Sequence, residues 1–519
     1  MSIMSIFEQQ FIIPLFSFFS FIFFIILFQK WTSSGGRKNS PPSPKGLPVI
    51  GNLLMLGKSP HRSLQSLSRR YGHDEPLLLH FGSLPVLLVS SAKVAREIMK
   101  NQNSIFSNKP KLSVPDRLTY GSRDVAFAAY GEYWKQMRSI CVHQLLSNKR
   151  VQSHRHIREQ ETTNMIDKIR QLGSSSSINL TNLFSSLTND VICMALFGRK
   201  YDGEDGKKFK KLMKEVNDLL GSASIGEYIP WLGWISHVNG LYAKVKRAAK
   251  LFDDFLETVI REHNKDYGKK YEQGGDKESY FVDRLLQLQR ESINSSSPIT
   301  DDTVKALIVD MFIAGTDTTV TALEWATAEL IKNPRTMKTL QNEVRKVVAS
   351  NNKKDTINED DIEKMPYLKA VIKESLRLHS PAPLLTPRES THDTKVMGYD
   401  ISAGTRVVIN AWAIGRDPTS WDDPENFIPE RFLNSEVDFR GKHFELIPFG
   451  AGRRGCPGIN FGVAVDELGL AKLVYHFDFE LPNGEKGEDL DMSETGGITV
   501  HKKLPMLVVA TPYNCVFNS

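Results

Sequence analysis

Cys456 stands in the run Pro448-Phe449-Gly450-Ala451-Gly452-Arg453-Arg454-Gly455-Cys456-Pro457-Gly458. Three upstream glycines and a following Pro-Gly suit a loop that presents its sulfur, and they suit neither helix nor strand. A free cysteine has a pKa near ~8.5 and becomes a thiolate at neutral pH only beside positive charge or a metal. Arg453, Arg454 and the amides of a helix starting near Gly458 are expected to supply that environment, with glycine letting backbone N–H groups approach the sulfur. The chemistry of such a loop is ligation of iron. Anionic sulfur on a haem iron pushes electron density that favours O–O cleavage, unlike the histidine of globins. The bland alternative is a buried structural cysteine in a glycine-rich turn, and the other candidate residues decide between them.

Ala314-Gly315-Thr316-Asp317-Thr318-Thr319 sets a carboxyl group beside a hydroxyl. Activation of dioxygen opposite a thiolate needs a hydrogen-bonding hydroxyl and a relay to solvent; Thr318 is read as the first and Asp317 as the proton carrier. Without Cys456 a surface aspartate in a threonine patch would be the better reading. A haem also brings two propionates that need cations. The candidates are Arg454, Arg388 in Pro387-Arg388-Glu389, and the pair Trp134 and Arg138, one helical turn apart. Glu374 and Arg377 lie three apart on one helical face. With Arg431 of Pro429-Glu430-Arg431-Phe432 they are expected to form a buried triad that locks that loop beneath the cysteine segment, a scaffold and not a catalytic group.

These residues must be carried by a mainly helical body. Thr300 to Lys332 is the longest helix candidate, opened by Thr300-Asp301-Asp302 and stopped by Asn333-Pro334. Its threonine- and glycine-rich centre is a poor helix interior, expected to bend and open a groove. Lys208–Leu220 and Lys244–Lys265 also repeat at helical spacing, whereas 266–278 and 292–298 read as solvated loops. Residues 76–81 and 85–89 flank Gly82-Ser83 as a hairpin, part of a minor sheet near the start, with another near the end.

The chain has 519 residues, 40% hydrophobic and 24% charged, with no internal repeat: one large domain or two fused lobes. A net charge of +6 is too small to argue for nucleic acid, and fits a membrane-adjacent protein with a basic docking face for an acidic partner. Cys141, Cys193, Cys456 and Cys515 are too scattered for a CxxC metal site or a disulfide framework, which points to a reducing compartment. Phe11 to Phe28 is apolar enough to cross a bilayer, with Glu8 before it and Lys30, Arg37, Lys38 and Lys45 after it. The positive-inside rule leaves the body in the cytosol. The expected organisation is a membrane signal anchor at 1–30, a basic, proline-rich linker at 31–48 that acts as a strut, and a catalytic domain at 49–519.

Taken together, the motifs resemble the cytochrome P-450 superfamily. The cysteine loop matches F-x-x-G-x-R-x-C-x-G, Glu374–Arg377 the E-x-x-R, Pro429–Phe432 the PERF-like loop, and Ala314–Thr318 the oxygen-activation motif. Residues 144–151, 410–418 and 448–458 are similar to the plant A-type branch of specialised metabolism, in particular to a subfamily that includes furanocoumarin-forming enzymes. The resemblance implies a triangular, mainly α fold with a minor β sheet after one N-terminal transmembrane helix. It implies haem b ligated by Cys456 with Phe449 in its binding loop, O₂ as co-substrate, and electrons from an NADPH-dependent flavoprotein reductase. It also implies residence in the endoplasmic reticulum membrane. By analogy Phe312, Ile313, Ala382, Leu384, Leu385 and Ile498 would line an apolar pocket, within the substrate-facing segments 110–123, 212–228, 308–313, 380–386 and 494–498. The expected activity is monooxygenation of a small lipophilic plant metabolite, a terpenoid, a coumarin or phenylpropanoid, or an amino-acid derivative. A non-oxygenating haem-thiolate dehydratase or isomerase is the alternative within enzymes, and a haem-binding ligand sensor the one outside them.

Overall fold

The computed structural model describes residues 13–33, 39–72, 74–173, 177–201, 203–222, 224–271, 280–295, 297–350 and 356–513. The N-terminal apolar run forms helix α1 (Ile13–Ser33), whose large side chains up to Ile26 stand almost uniformly exposed. Phe11 and Ile12 of the expected span lie outside the described residues. A helix apolar on every face has no side suited to water. Among the described residues two later helices are long and apolar enough to cross a membrane, but most of each is buried inside the body; the described apolar stretch of α1, Ile13–Ile26, is shorter.

The hairpin is β1 (Leu77–Phe81) and β2 (Leu84–Val89), antiparallel across Gly82-Ser83. The sheet is completed by β3 (Arg388–Glu389) and β4 (Arg406–Ile409) in the order β1-β2-β4-β3, with β2 and β4 parallel. The proline-rich segment runs along the outer edge of β1. Leu78 N donates to Pro42 O at 2.9 Å, Asn52 N to His80 O at 2.6 Å and His80 N to Asn52 Oδ1 at 2.8 Å, with Pro41 and Pro44 buried.

Helices make up most of the rest. Those that carry the site are α2 (Glu132–Ser139), α3 (Arg155–Leu172), α4 (Leu180–Phe197), α5 (Gly203–Leu220), α6 (Leu241–Tyr271), α7 (Phe281–Glu291), α8 (Asp301–Lys332), α9 (Pro366–Leu378) and α10 (Ile459–His476). A small C-terminal sheet pairs β5 (Phe477–Glu480) with β6 (Leu507–Pro512), which also takes residues 178–179. Residues 266–271, expected in a loop, extend α6. Once a helix is nucleated, each added lysine, aspartate or tyrosine costs little.

Helix α8 starts as the sequence predicts: the Thr300 hydroxyl accepts from Thr303 N at 3.3 Å, and Asp301 and Asp302 occupy the first turn. It is 32 residues long, about 48 Å at the α-helical rise. The expected opening at its centre is absent: residues 314–319 remain α-helical. The hydroxyls of Thr316, Thr318, Thr319 and Thr321 donate to carbonyls four residues back at 2.7–3.0 Å, tying the threonines down without displacing the helix. The groove comes from small side chains instead, chiefly Ala314 and Gly315. A Cβ on Gly315 would lie 2.6 Å from Ile192 Cδ1 of α4, so glycine is what lets α4 and α8 approach. The two helices pack along one another, and Trp325, Leu323, Phe184, Leu187 and Leu468 form one continuous apolar core around them.

Candidate active site

The cysteine loop is set by two left-handed glycines, Gly450 and Gly452, both at φ 68°. A side chain at Gly452 would drive its Cβ to 2.2 Å from Met99 O. Cys456 N donates to Phe449 O at 2.9 Å, closing the loop, and Gly458 N donates to Cys456 Sγ at 3.3 Å just before α10 begins. Burial pushes the thiol up, while the Gly458 amide and the Arg138 guanidinium favour the thiolate. The nearby cation is therefore Arg138, not Arg453 or Arg454 as the sequence suggested. The short turn at Gly452–Arg454 swings those two away: Arg453 lies over the Tyr130 ring at 5.5 Å, and Arg454 covers Trp134 at 4.0 Å.

The four proposed propionate partners do converge. Arg138, Trp134, Arg388 and Arg454 line the same cavity as Cys456, of about 280 Å³, and Lys109 joins them. Each is anchored from behind by the backbone. Arg454 donates to Ser107 O, Val125 O and Ala128 O at 2.6–3.0 Å, Arg138 to Gly455 O at 2.6 Å, Arg388 to Ala451 O at 3.0 Å, and Trp134 Nε1 to Val125 O at 3.0 Å. Burial first, then the charges of Arg388 and Arg138, pushes Arg454 down to about 9; Lys109 is depressed by burial and by the charges of Arg388 and Arg454. A buried cluster of cations this crowded calls for anions. Two propionates beside a cysteine sulfur meet that demand, so the residues present fit a haem.

Opposite Cys456, α8 presents Ala314, Gly315, Thr318 and Thr319 to the cavity. The Thr318 hydroxyl donates to Ala314 O at 2.7 Å, which leaves its oxygen free to accept from water. Asp317 turns away from the cavity and pairs with His501, Oδ1 to Nε2 at 3.0 Å. Burial pushes the Asp317 carboxyl upward, but the hydrogen bond and charge of His501, with contacts to Thr499 and Asn217, bring it below the ordinary range.

Glu374, Arg377 and Arg431 form the triad read from the sequence. Arg377 donates Nε and Nη2 to the two Glu374 oxygens at 2.7 and 2.8 Å, and Arg431 Nε reaches Glu374 Oε1 at 3.1 Å. Arg377 then spends its remaining N–H groups on Gly415 O, Pro424 O and Asn426 O at 2.6–3.0 Å, so all five are used. The loop from 415 to 431 is thereby clamped onto α9.

The sequence model of the family described as Cytochrome P450 matches residues 41–509. This chain belongs to the cytochrome P450 family. It is 58% identical over 505 residues to cytochrome P450 71A6 of Nepeta racemosa, covering 95% of this chain and 98% of that one. It is 55% identical over 494 residues to (+)-menthofuran synthase of Mentha piperita, covering 95% and 97%. A zebra fish cytochrome P450 solved with abiraterone superposes with a TM-score of 0.74 at 26% identity, covering 88% of this chain and all of that one. The chain is thus a haem-thiolate monooxygenase of the plant A-type branch, using haem b and electrons drawn from NADPH through a reductase, with O₂ and a lipophilic substrate as reactants.

In this cytochrome P450 the expected pocket residues divide. Ala382 and Leu385 line the cavity, the latter in a left-handed backbone at φ 51°, and so does Phe449. Phe312, Ile313, Leu384 and Ile498 stand outside it. Phe312 is fully buried between Phe209 and Phe197, with ring centroids 5.0 and 6.4 Å away. Ile313 packs beside α5 and α6, Leu384 packs on the β1–β2 sheet, and Ile498 is exposed. The structure also brings in residues that the sequence reading missed. Asp310 lies two turns before Asp317, and 310, 314 and 318 fall on one helical face, a phase that could have exposed it. Its Oδ2 accepts from Val125 N at 2.6 Å beside the buried Asp124, whose Oδ1 faces no donor among the described residues. Burial pushes both carboxyls up, Asp124 further through the charge of Asp310.

Proposed function

We propose that this cytochrome P450 inserts oxygen into a small lipophilic plant metabolite, of terpenoid, coumarin or phenylpropanoid, or amino-acid-derived origin, at the cytosolic face of the endoplasmic reticulum. The observation that carries it is one cavity bounded by Cys456 on one side and the Thr318 face of α8 on the other, with anion-seeking cations at its rim. Relatives named (+)-menthofuran synthase and norfluorocurarine oxidase, the latter 51% identical, support small lipophilic substrates. Met311, Ala314, Ala322, Pro381, Ala382 and Leu385 give the cavity an apolar lining that favours such a ligand.

Haem b bound here supplies the iron centre at which dioxygen is reductively split and one oxygen atom is delivered to the substrate. Cys456 would hold the iron through its sulfur, with the Gly458 amide and Arg138 favouring the thiolate. Arg138, Arg388 and Arg454 would bind the propionates; Trp134, expected to join them, spends its one N–H on Val125 O and instead backs the Arg454 guanidinium with its ring, and Phe449 packs in the same wall. Thr318 holds a water at its hydroxyl oxygen, and Asp317 carries protons to it from the solvent side. Glu374, Arg377 and Arg431 keep the loop beneath rigid. Residues 1–30 serve as the membrane anchor, 31–48 as the linker and 49–519 as the catalytic domain; the basic residues after the apolar run support a cytosolic body.

The test is expression in microsomes with a plant reductase. Cys456→Ser is expected to abolish the thiolate-type absorption band of the reduced carbon monoxide complex, and survival of that band rejects the ligand assignment. Thr318→Ala is expected to keep the band while raising peroxide released per NADPH about tenfold, less than the ~10²–10⁴ of a group that itself transfers the proton, because Thr318 only holds the water; unchanged coupling removes Thr318 from the relay. Screening terpenoids, coumarins and amino-acid-derived metabolites for product then identifies the substrate class.

A further inference from the structure

His501 lies far along the chain from α8, yet it is fixed against the middle of that helix. Val500 N donates to Pro381 O at 3.0 Å, Trp325 Nε1 donates to Val500 O at 2.9 Å, and Thr495 N donates to His501 O at 2.9 Å. The ring is thereby pinned between its own segment and α8. Its two ring nitrogens each meet a partner on α8. The only hydroxyl proton of Thr321 goes to Asp317 O at 2.8 Å, so the Thr321 oxygen meets His501 Nδ1, 2.9 Å away, as an acceptor. Nε2 meets a carboxylate oxygen of Asp317 at 3.0 Å. With the Thr321 proton placed on Asp317 O both ring nitrogens donate, an arrangement that only the imidazolium satisfies.

The surroundings agree. Asp317 and Glu324 face the ring from α8, and Asp218 from the end of α5. The following residue, Lys502, turns its ammonium away to Asp491 O. Burial alone would favour the neutral ring, but these carboxylates outweigh it and hold His501 above its ordinary range. The side chain is 29% exposed, so the ring exchanges protons with bulk water.

We propose that His501 is the positioning residue that feeds the proton relay, holding Asp317 on the solvent side of α8 and passing it protons. This rests on Asp317 serving Thr318 as described above. In each pass the Nε2–H bond breaks as an O–H bond forms on Asp317 Oδ1, leaving a neutral imidazole and a carboxylic acid. The acid gives its proton on towards the water at Thr318 and returns to carboxylate. The imidazole takes a replacement proton at Nε2 from solvent. Charge balances at every transfer, and one proton enters per pass, so two passes supply the two protons that leave with the second oxygen atom as water.

The test compares wild type, His501→Gln, His501→Arg and Asp317→Asn as full-length holoenzyme with reductase, reading product formed per NADPH across pH about 6 to about 9, the range that brackets histidine titration. Wild-type coupling is expected to fall as pH rises through the titration of His501. His501→Arg, a fixed cation that cannot release a proton, is expected to remain poorly coupled and to lose the pH dependence. His501→Gln is expected to lower coupling about tenfold, less than the ~10²–10⁴ of a group in direct contact with the reacting atoms, because His501 acts through Asp317. A readout independent of turnover is the pH dependence of thermal unfolding of the carbon monoxide complex: wild type is expected to lose stability on that same alkaline limb, and His501→Gln to lack the limb. A His501→Gln enzyme with wild-type coupling and pH profile overturns the proposal, provided Asp317→Asn uncouples. If Asp317→Asn leaves coupling intact, the relay reading itself falls. Should His501→Gln fail to fold, His501→Arg decides: a profile shaped like that of wild type overturns the proposal.

Discussion

Two carboxylate–cation groups flank the cavity, and they are built to opposite rules. Glu374 and Arg377 are wholly dry and Arg431 nearly so, with every donor of Arg377 engaged. Asp317 and His501 are a quarter or more exposed, hold one another through a single ring nitrogen, and face water on one side. A buried pair with no free donor cannot change partners without leaving a charge in a dry core, so it can only hold. A half-wet pair can gain or lose a proton at small cost, so it can work. Position relative to solvent, more than residue type, separates the scaffold from the moving part.

Variants sharpen this contrast. The largest effect is expected from Glu374→Gln, which strands two guanidinium groups in the core. Denaturant unfolding should show a loss of about 3–5 kcal/mol, the usual cost of breaking a buried pair, with loss of bound haem. Arg377→Lys should not rescue function, because an ammonium has three donors for five acceptors. Next comes Gly452→Ala, where the added Cβ would collide with Met99 O in a left-handed backbone; a cost of about 1–3 kcal/mol is expected from the same measurement, with a weakened thiolate-type band. The smallest effect belongs to the half-wet pair. The Asp317 contribution is present above about 3.9, its unfolded value, and is lost as pH falls through its depressed folded value. The His501 contribution is full below about 6.5 and is lost as pH rises through its raised folded value. Asp317→Asn should erase both flanks of that stability–pH window, and its height should stay below about 1 kcal/mol because solvent screens the pair. A Glu374 variant as mild as this, or an Asp317 variant as severe as Glu374→Gln, would break the contrast.

The scaffold was largely legible in the sequence because its determinants are local. Thr300 followed by two aspartates fixes the start of α8, Asn333-Pro334 its end, and the spacing of Glu374 and Arg377 already places them on one face. The Asp317–His501 pair was only half legible. Asp317 announces itself beside Thr318, but nothing near His501 says that its ring will reach α8, since that contact depends on the C-terminal segment folding back past Pro381. Arg453 and Arg454 misled for a related reason: proximity in sequence to Cys456 was taken as proximity in space, and the turn at Gly452 reverses it. Phe312 misled through its chemistry, since a phenylalanine on a ligand-facing helix fits a core of phenylalanines equally well.

The proline-rich stretch after α1 does more than connect. Because residues 42–52 hydrogen-bond along the open side of β1, the segment that follows the apolar helix is also the cap on a strand that would otherwise offer unpaired amides to another molecule. Trimming the apolar helix to obtain a soluble protein therefore has a natural limit. A cut before Pro41 leaves the cap in place, whereas a cut beyond Asn52 would trade one sticky surface for another.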